Sequence, residues 1–185
     1  LWKLNGASMM LYADLHRARP VADPENRELI ISCGAALGLY RLALRHFGIS
    51  DEVTYFPDQG GYALAEVRLG PPAKIGESDE ELFQGIFERH TNRGPFQDKA
   101  LPQSLVSALR HEAFGDGAWL YILESPMERE KLAELIREGD LIEWDNPEYR
   151  RETARWVRPN DARNVDGISG NTLGLGNISS RIATL

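Results

Sequence analysis

The chain is short of cysteine, of histidine and of positive charge, and each shortage narrows what it can do. Cys33 is the one cysteine in 185 residues. A lone thiol closes no internal disulfide and builds no cysteine-rich zinc site, so a reducing, cytoplasmic setting is expected. The four histidines, His16, His46, His90 and His111, are scattered along the chain. His111-Glu112 starts a zinc-protease pattern, but no second histidine follows at the helical spacing, so no metal site is expected. Lysine and arginine total 21 against 28 aspartates and glutamates, a net charge of −7. A nucleic-acid footprint has the opposite sign, and nucleic-acid binding is not expected.

Long apolar runs are also missing. The most apolar segment is free of charged residues for only twelve positions, Leu29 to Tyr40, and a membrane span needs about 20. With no secretory leader in view, a soluble protein without membrane attachment is expected. There is no phosphate loop of the lysine-serine type. Gly174-Leu175-Gly176 lacks the third glycine and the preceding strand of a dinucleotide turn, and Ser169 lacks nucleophile-elbow spacing. No acid, base or nucleophile stands out as catalytic. Residue 1 is leucine and not methionine, and the chain ends on an ordinary Thr184-Leu185, so a piece of a longer protein is expected.

What is present is ordinary globular composition, 42% hydrophobic and 26% charged, enough for one domain or two half-domains sharing a core. Leu1–Leu4 and Met9–Ala13 flank Asn5-Gly6 as a hairpin. Glu28 to Phe47 is apolar almost all round, is closed by Gly48, and predicts a long buried central helix. Its non-apolar residues Gly34, Gly38, Arg41 and Arg45 fall in one stripe. Each glycine costs about 1 kcal/mol relative to alanine, which suggests another backbone lying close. Glu52–Phe56 and Tyr62–Arg68 read as strands, followed by a linker at Pro71-Pro72. A capping box at Ser78–Glu81 opens a helix to about Arg89. A helix over 102–114, a strand over Ala118–Leu123, a helix from a second box at Ser125–Glu128 to about Glu138, and a helix over 147–157 follow. From Pro159 onward the asparagine- and glycine-rich composition predicts irregular structure. Interleaved helices and strands with an initial hairpin give an α+β class with a mixed or antiparallel sheet.

One segment concentrates chemistry. Arg89-His90-Thr91-Asn92-Arg93-Gly94-Pro95-Phe96 sets two guanidinium groups, an imidazole and a hydroxyl within five residues at a helix end. Guanidinium forks match phosphate oxygens, and the threonine adds a donor. The plainer alternative is a solvated loop whose arginines pair with acids such as Glu88. Cys33, inside the apolar helix, reads as a buried inert thiol.

These residues resemble the nitroreductase-like flavoprotein family, and within it the dormancy-associated mycobacterial branch called the Acg type. The likeness runs through Leu11-Tyr12-Ala13-Asp14, Pro20–Pro24 and Arg27-Glu28. It continues in Ile31–Leu37 with Arg41–Leu44, in the arginine segment, and in Asp166-Gly167-Ile168-Ser169. The resemblance implies a nitroreductase-like sheet with helices on both sides. It implies the later part of a first unit in residues 1–77 and the start of a second in residues 78–185, sharing one core, with the central helix at a homodimer or intramolecular pseudo-dimer interface. It implies an FMN cofactor whose phosphate is held by Arg89, His90, Thr91 and Arg93, and NAD(P)H as reductant. The activity implied is reduction of a small-molecule acceptor, a nitroaromatic or quinone. The alternative is a non-catalytic, stress-related relative that sequesters flavin or has lost it. Gly115–Trp119, where the family's flavin-contacting signature belongs, is short and lacks that signature. A third alternative is a truncated product whose apolar helix lacks partners.

Overall fold

A computed structural model describes residues 1–58, 61–92, 94–115, 117–161 and 166–182. The chain divides into two compact units, Leu1–Asn92 and Arg93–Leu185.

The first unit is a four-stranded antiparallel sheet in the order β1-β2-β4-β3, with β1 Trp2–Asn5, β2 Ser8–Tyr12, β3 Ile49–Tyr55 and β4 Ala63–Pro72. Helix α1, Arg27–His46, connects the two hairpins, and α2, Glu77–Glu88, follows β4. The first hairpin turns at Gly6-Ala7, one residue later than the Asn5-Gly6 expectation. Gly6 has φ +59° and Asn5 pairs across to Ser8. Positive φ at the first central position is where a tight hairpin turn takes glycine.

Period-two alternation aims Met9, Leu11, Val53, Ala65 and Val67 at one face of the sheet. Register sets Met9 and Val53 opposite Val67 from either side. Cys33, Leu37, Tyr40 and Leu44, spaced by four, three and four residues, are the α1 face that packs on it. Asp23 prepares the start of α1: its carboxylate accepts from the Leu29 N–H at 2.9 Å. Asn26, the cap residue by position, makes no side-chain cap bond. Gly48, at φ +68°, ends the helix as expected.

The expectation of a buried central helix is corrected. Only Leu37 and Leu44 are buried along α1, and Ile31 is 60% exposed. Apolar residues on all sides predict burial on all sides only if every side has a neighbour. Here the sheet takes one face, and α2 packs against α1 as well. A methyl added at Gly34 or Gly38 would meet nothing within 4 Å, so no close backbone explains those glycines among the described residues. In this unit α1 packs on a single face of the sheet.

Pro71-Pro72 is the end of β4 rather than a linker. Beyond Arg68 the strand is paired with β3 alone, so the missing proline N–H groups interrupt no ladder toward β2. Ser50 donates its hydroxyl to the Pro71 carbonyl at 2.7 Å. Gly70 leaves room for that serine: a Cβ there would fall 2.3 Å from Ser50 Oγ. Helix α2 begins at Gly76 instead of the Ser78 box. The Asp79 carboxylate accepts from the Gly76 N–H at 2.9 Å, and the Asp79 N–H returns to the Gly76 carbonyl at 3.1 Å.

The second unit contains α3 Gln103–Gly115, α4 Pro126–Asp145, α5 Pro147–Ala154, β5 Val157–Arg158, β6 Ile168–Ser169 and α6 Asn177–Ile182. The expected strand over Ala118–Leu123 does not form, and Trp119 is 84% exposed. A strand needs a ladder. The pairing strands among the described residues of this unit are β5 and β6, two residues each and bound to one another in parallel. Helix α4 opens at Ser125 without a side-chain cap bond and runs past the expected Glu138 stop. Asn146 then caps α5, accepting from the Glu148 N–H at 2.9 Å. α5 ends at Ala154, which frees Val157 for β5.

Asn160 and the segment 166–182 are more ordered than their composition predicts. Asn160 donates to the Leu175 carbonyl and to Asn177 Oδ1, each at 3.0 Å, and the fully buried Ser180 donates to the Asn177 carbonyl at 2.9 Å. An amide and a hydroxyl side chain thus tie these segments together.

Candidate functional site

The arginine-rich segment begins where α2 ends, so the docking of α2 decides how it is presented. Two polar contacts and one ring stack join α2 to the last turn of α1. Arg45 Nε lies 3.1 Å from Asp79 Oδ1, and His46 Nδ1 lies 2.7 Å from Glu80 Oε2. The His46 ring stacks on Phe83 at 3.8 Å, with the planes 4° apart. Phe47 and Phe87 meet Phe83 edge-on. Beneath this cluster, Arg41 Nε is 2.6 Å from Asp51 Oδ2, whose side chain is 5% exposed. Burial, then the Asp51 charge, push the Tyr40 hydroxyl up.

Arg89 is the C-terminal cap residue of α2, and its N–H donates to the Gly85 carbonyl at 2.9 Å. His90 Nδ1 lies 3.3 Å from the Glu88 carbonyl oxygen. Arg89, His90 and Thr91 are all exposed and stand in succession. Arg93 lies outside the described residues. The helix end carries partial negative charge, which favours cationic residues there and gives an anion no help of its own. Any anion must be held by the side chains. A guanidinium, an imidazole and a hydroxyl open to solvent are donors that suit the oxygens of a phosphate monoester.

One feature of this unit is absent from the sequence reading. A cleft of ≈ 290 Å³ is lined by Ala22, Asp23, Pro24, Glu25, Arg27 and Glu28. Its three carboxylates against one guanidinium give it the wrong sign for a phosphate, and Asp23 is already bonded to the start of α1. The acidic residues Asp23, Glu25 and Glu28 are visible in the sequence, but their convergence on one cleft is not. Cys33 is half-buried rather than buried, and burial pushes its thiol up, which disfavours the thiolate form. Among the described residues no group of three or more His, Cys, Asp or Glu is placed to hold a metal. Among them no helix is long and apolar enough to cross a membrane.

No protein-family model matches the chain. It is similar to an uncharacterized protein of Mycobacterium tuberculosis, 29% identical over 150 residues, which is 80% of this chain and 43% of the relative. Two further proteins of that organism are named as putative NAD(P)H nitroreductases. One, called acg, is 24% identical over 157 residues, 84% of this chain and 47% of its own length. The other is 28% identical over 156 residues, 84% of this chain and 44% of its own length. The chain thus spans about half the length of the curated relatives it matches. Taken with the mixed helix and antiparallel-sheet architecture, these likenesses support a nitroreductase-like family for the chain.

Proposed function

We propose that the chain belongs to an FMN-dependent NAD(P)H oxidoreductase of nitroreductase type, in the Acg branch, reducing nitroaromatics or quinones. The observation that carries the reading is the exposed succession Arg89-His90-Thr91 at the end of α2, in a chain whose relatives bear nitroreductase names. FMN, when bound, supplies the hydride chemistry. The chain's own part is to hold phosphate: Arg89 as a two-pronged donor, Thr91 through its hydroxyl, His90 through a ring nitrogen. Arg93 joins them on the strength of the resemblance alone. No acid or base of the protein is demanded. A cytoplasmic location fits the single free thiol. The exposed Ile31 and Leu39 beside Gly34 and Gly38 on α1 support an interface role for that helix, in a homodimer or in an internal pseudo-dimer of two units meeting near residues 77–78.

Anaerobic titration of the protein with FMN and then NADPH tests the reading. A bound-flavin spectrum that bleaches with NADPH, and is lost in Arg89→Ala, is expected. A folded protein that ignores FMN overturns it. A second reading, a non-catalytic relative, is favoured by residues 118–125, which form no strand and leave Trp119 exposed. Flavin that binds but is not bleached by NADPH would favour that reading.

A further inference from the structure

We infer that Phe83 is a positioning residue for the phosphate donors Arg89 and Thr91, acting through α2 and not by contact with the ligand; this rests on the reading of the loop after α2 as a phosphate site. Arg89 and Thr91 are exposed and follow directly on the helix. The Arg89 N–H donates to the Gly85 carbonyl at 2.9 Å, so its backbone moves with the last turn of α2. Where that turn sits depends on α1, the element on which α2 packs.

The two helices are joined unevenly along α2. The ion pairs of Asp79 with Arg45 and of Glu80 with His46 lie in its first turn. Each has a solvent-exposed member, so water screens both. Further along, the Phe83 ring lies flat on His46 at 3.8 Å, and Phe47 and Phe87 meet it edge-on at 5.8 and 5.4 Å. Phe83 is thus the ring that the other three share. Phe87 stands one turn beyond it and two residues before Arg89, so the rings carry the support into the last turn. From Phe83 to Arg89 the helix runs about 9 Å at about 1.5 Å per residue. A tilt of about 10° at Phe83 therefore moves Arg89 by about 1.5 Å, whereas a binding site needs its groups held within about 0.5 Å. A guanidinium fork must aim two N–H groups at once, so it is sensitive to such a tilt.

The test compares FMN with riboflavin affinity, read by flavin fluorescence at one pH. The proteins are wild type, Phe83→Ala, Phe83→Tyr, Arg89→Ala and the double variant Phe83→Ala with Arg89→Ala. Riboflavin lacks the phosphate, so it reports general damage alone. Phe83→Ala is expected to weaken FMN binding about three- to tenfold and to leave riboflavin unchanged. Phe83→Tyr keeps the ring and keeps the affinity. In the Arg89→Ala background the alanine change is expected to cost less than about twofold, because the main donor it positions is gone. Phe83→Leu, apolar but without a ring to stack, takes the place of Phe83→Ala, with the same expectations, if the alanine variant does not fold. A loss shared equally by riboflavin, a loss undiminished in the Arg89→Ala background, or a folded variant with no loss overturns the inference while the phosphate reading stands. Wild type that does not bind FMN, or binds riboflavin as tightly, overturns the phosphate reading of the loop and this inference with it.

Discussion

Val67 is the residue around which the first unit closes. It is 0% exposed, on the strand with partners on both sides, and it meets Leu11, Leu37, Leu44 and Ala65 in one cluster. Val67→Ala removes two methyl groups where neither sheet nor helix can collapse, and is expected to cost about 2–3 kcal/mol. Urea unfolding of the variant checks this, and a loss below about 1 kcal/mol would mean the core is looser than described. Glu66, next to it on the opposite sheet face, has its carboxyl held below the usual range by the Ser8 hydroxyl and by Arg68 at 3.2 Å. The Ser8 hydroxyl also faces the Asn5 carbonyl at 3.0 Å. A depressed folded-state value means the stabilisation is full above the unfolded value, near 4.5, and disappears as pH falls through the lower folded value. Glu66→Gln should therefore lose this stabilisation at neutral pH and flatten the acid limb below about pH 4.5, so that variant and wild type converge in acid. An NMR titration of Glu66 returning the ordinary value would contradict this.

At the scale of elements, α1 and α2 differ in how they are held. One face of α1 is sewn to three strands. The docking described for α2 runs through Asp79, Glu80 and Phe83 onto the last turn of α1. Exposed ion pairs contribute little, so the stacked rings carry the docking. Phe83→Ala is expected to cost about 1–2 kcal/mol. It should raise amide hydrogen exchange over 77–88 while β2 and β4 stay protected, and equal protection of α2 in the variant would overturn this. The limits of α1 were legible because Gly48 and the apolar periodicity act locally. Its burial was not legible, because burial depends on neighbours that the helix does not encode. The same reason explains 118–123: Trp119, Tyr121 and Ile122 have strand propensity, but a strand exists only with a second strand beside it. Asn160 and Ser180 mislead in the other direction, since their composition reads as loop while their hydrogen bonds build order.

At the scale of the whole molecule, the compact units meet in the chain at Asn92-Arg93, inside the arginine-rich segment. Residues 89–92 are exposed and outside any regular element, the condition in which a protease finds a chain. Brief trypsin treatment is expected to cut first at Arg89 or Arg93, leaving a fragment that ends there and keeps the antiparallel sheet. First cleavage inside α1 or β4 would contradict the division. The α+β class, the first hairpin and the position of α1 were determined by sequence alone, because turn residues and hydrophobic periods act within a few positions. The arginine segment was visible in the sequence as chemistry, but not as geometry. Only the tertiary structure decided that His90 turns Nδ1 to a helix-end carbonyl, that α1 shows a broad face to solvent, and that a strand-like segment stays unpaired. Each of these depends on what lies across space from the residue, and the order of residues along a chain does not by itself state that.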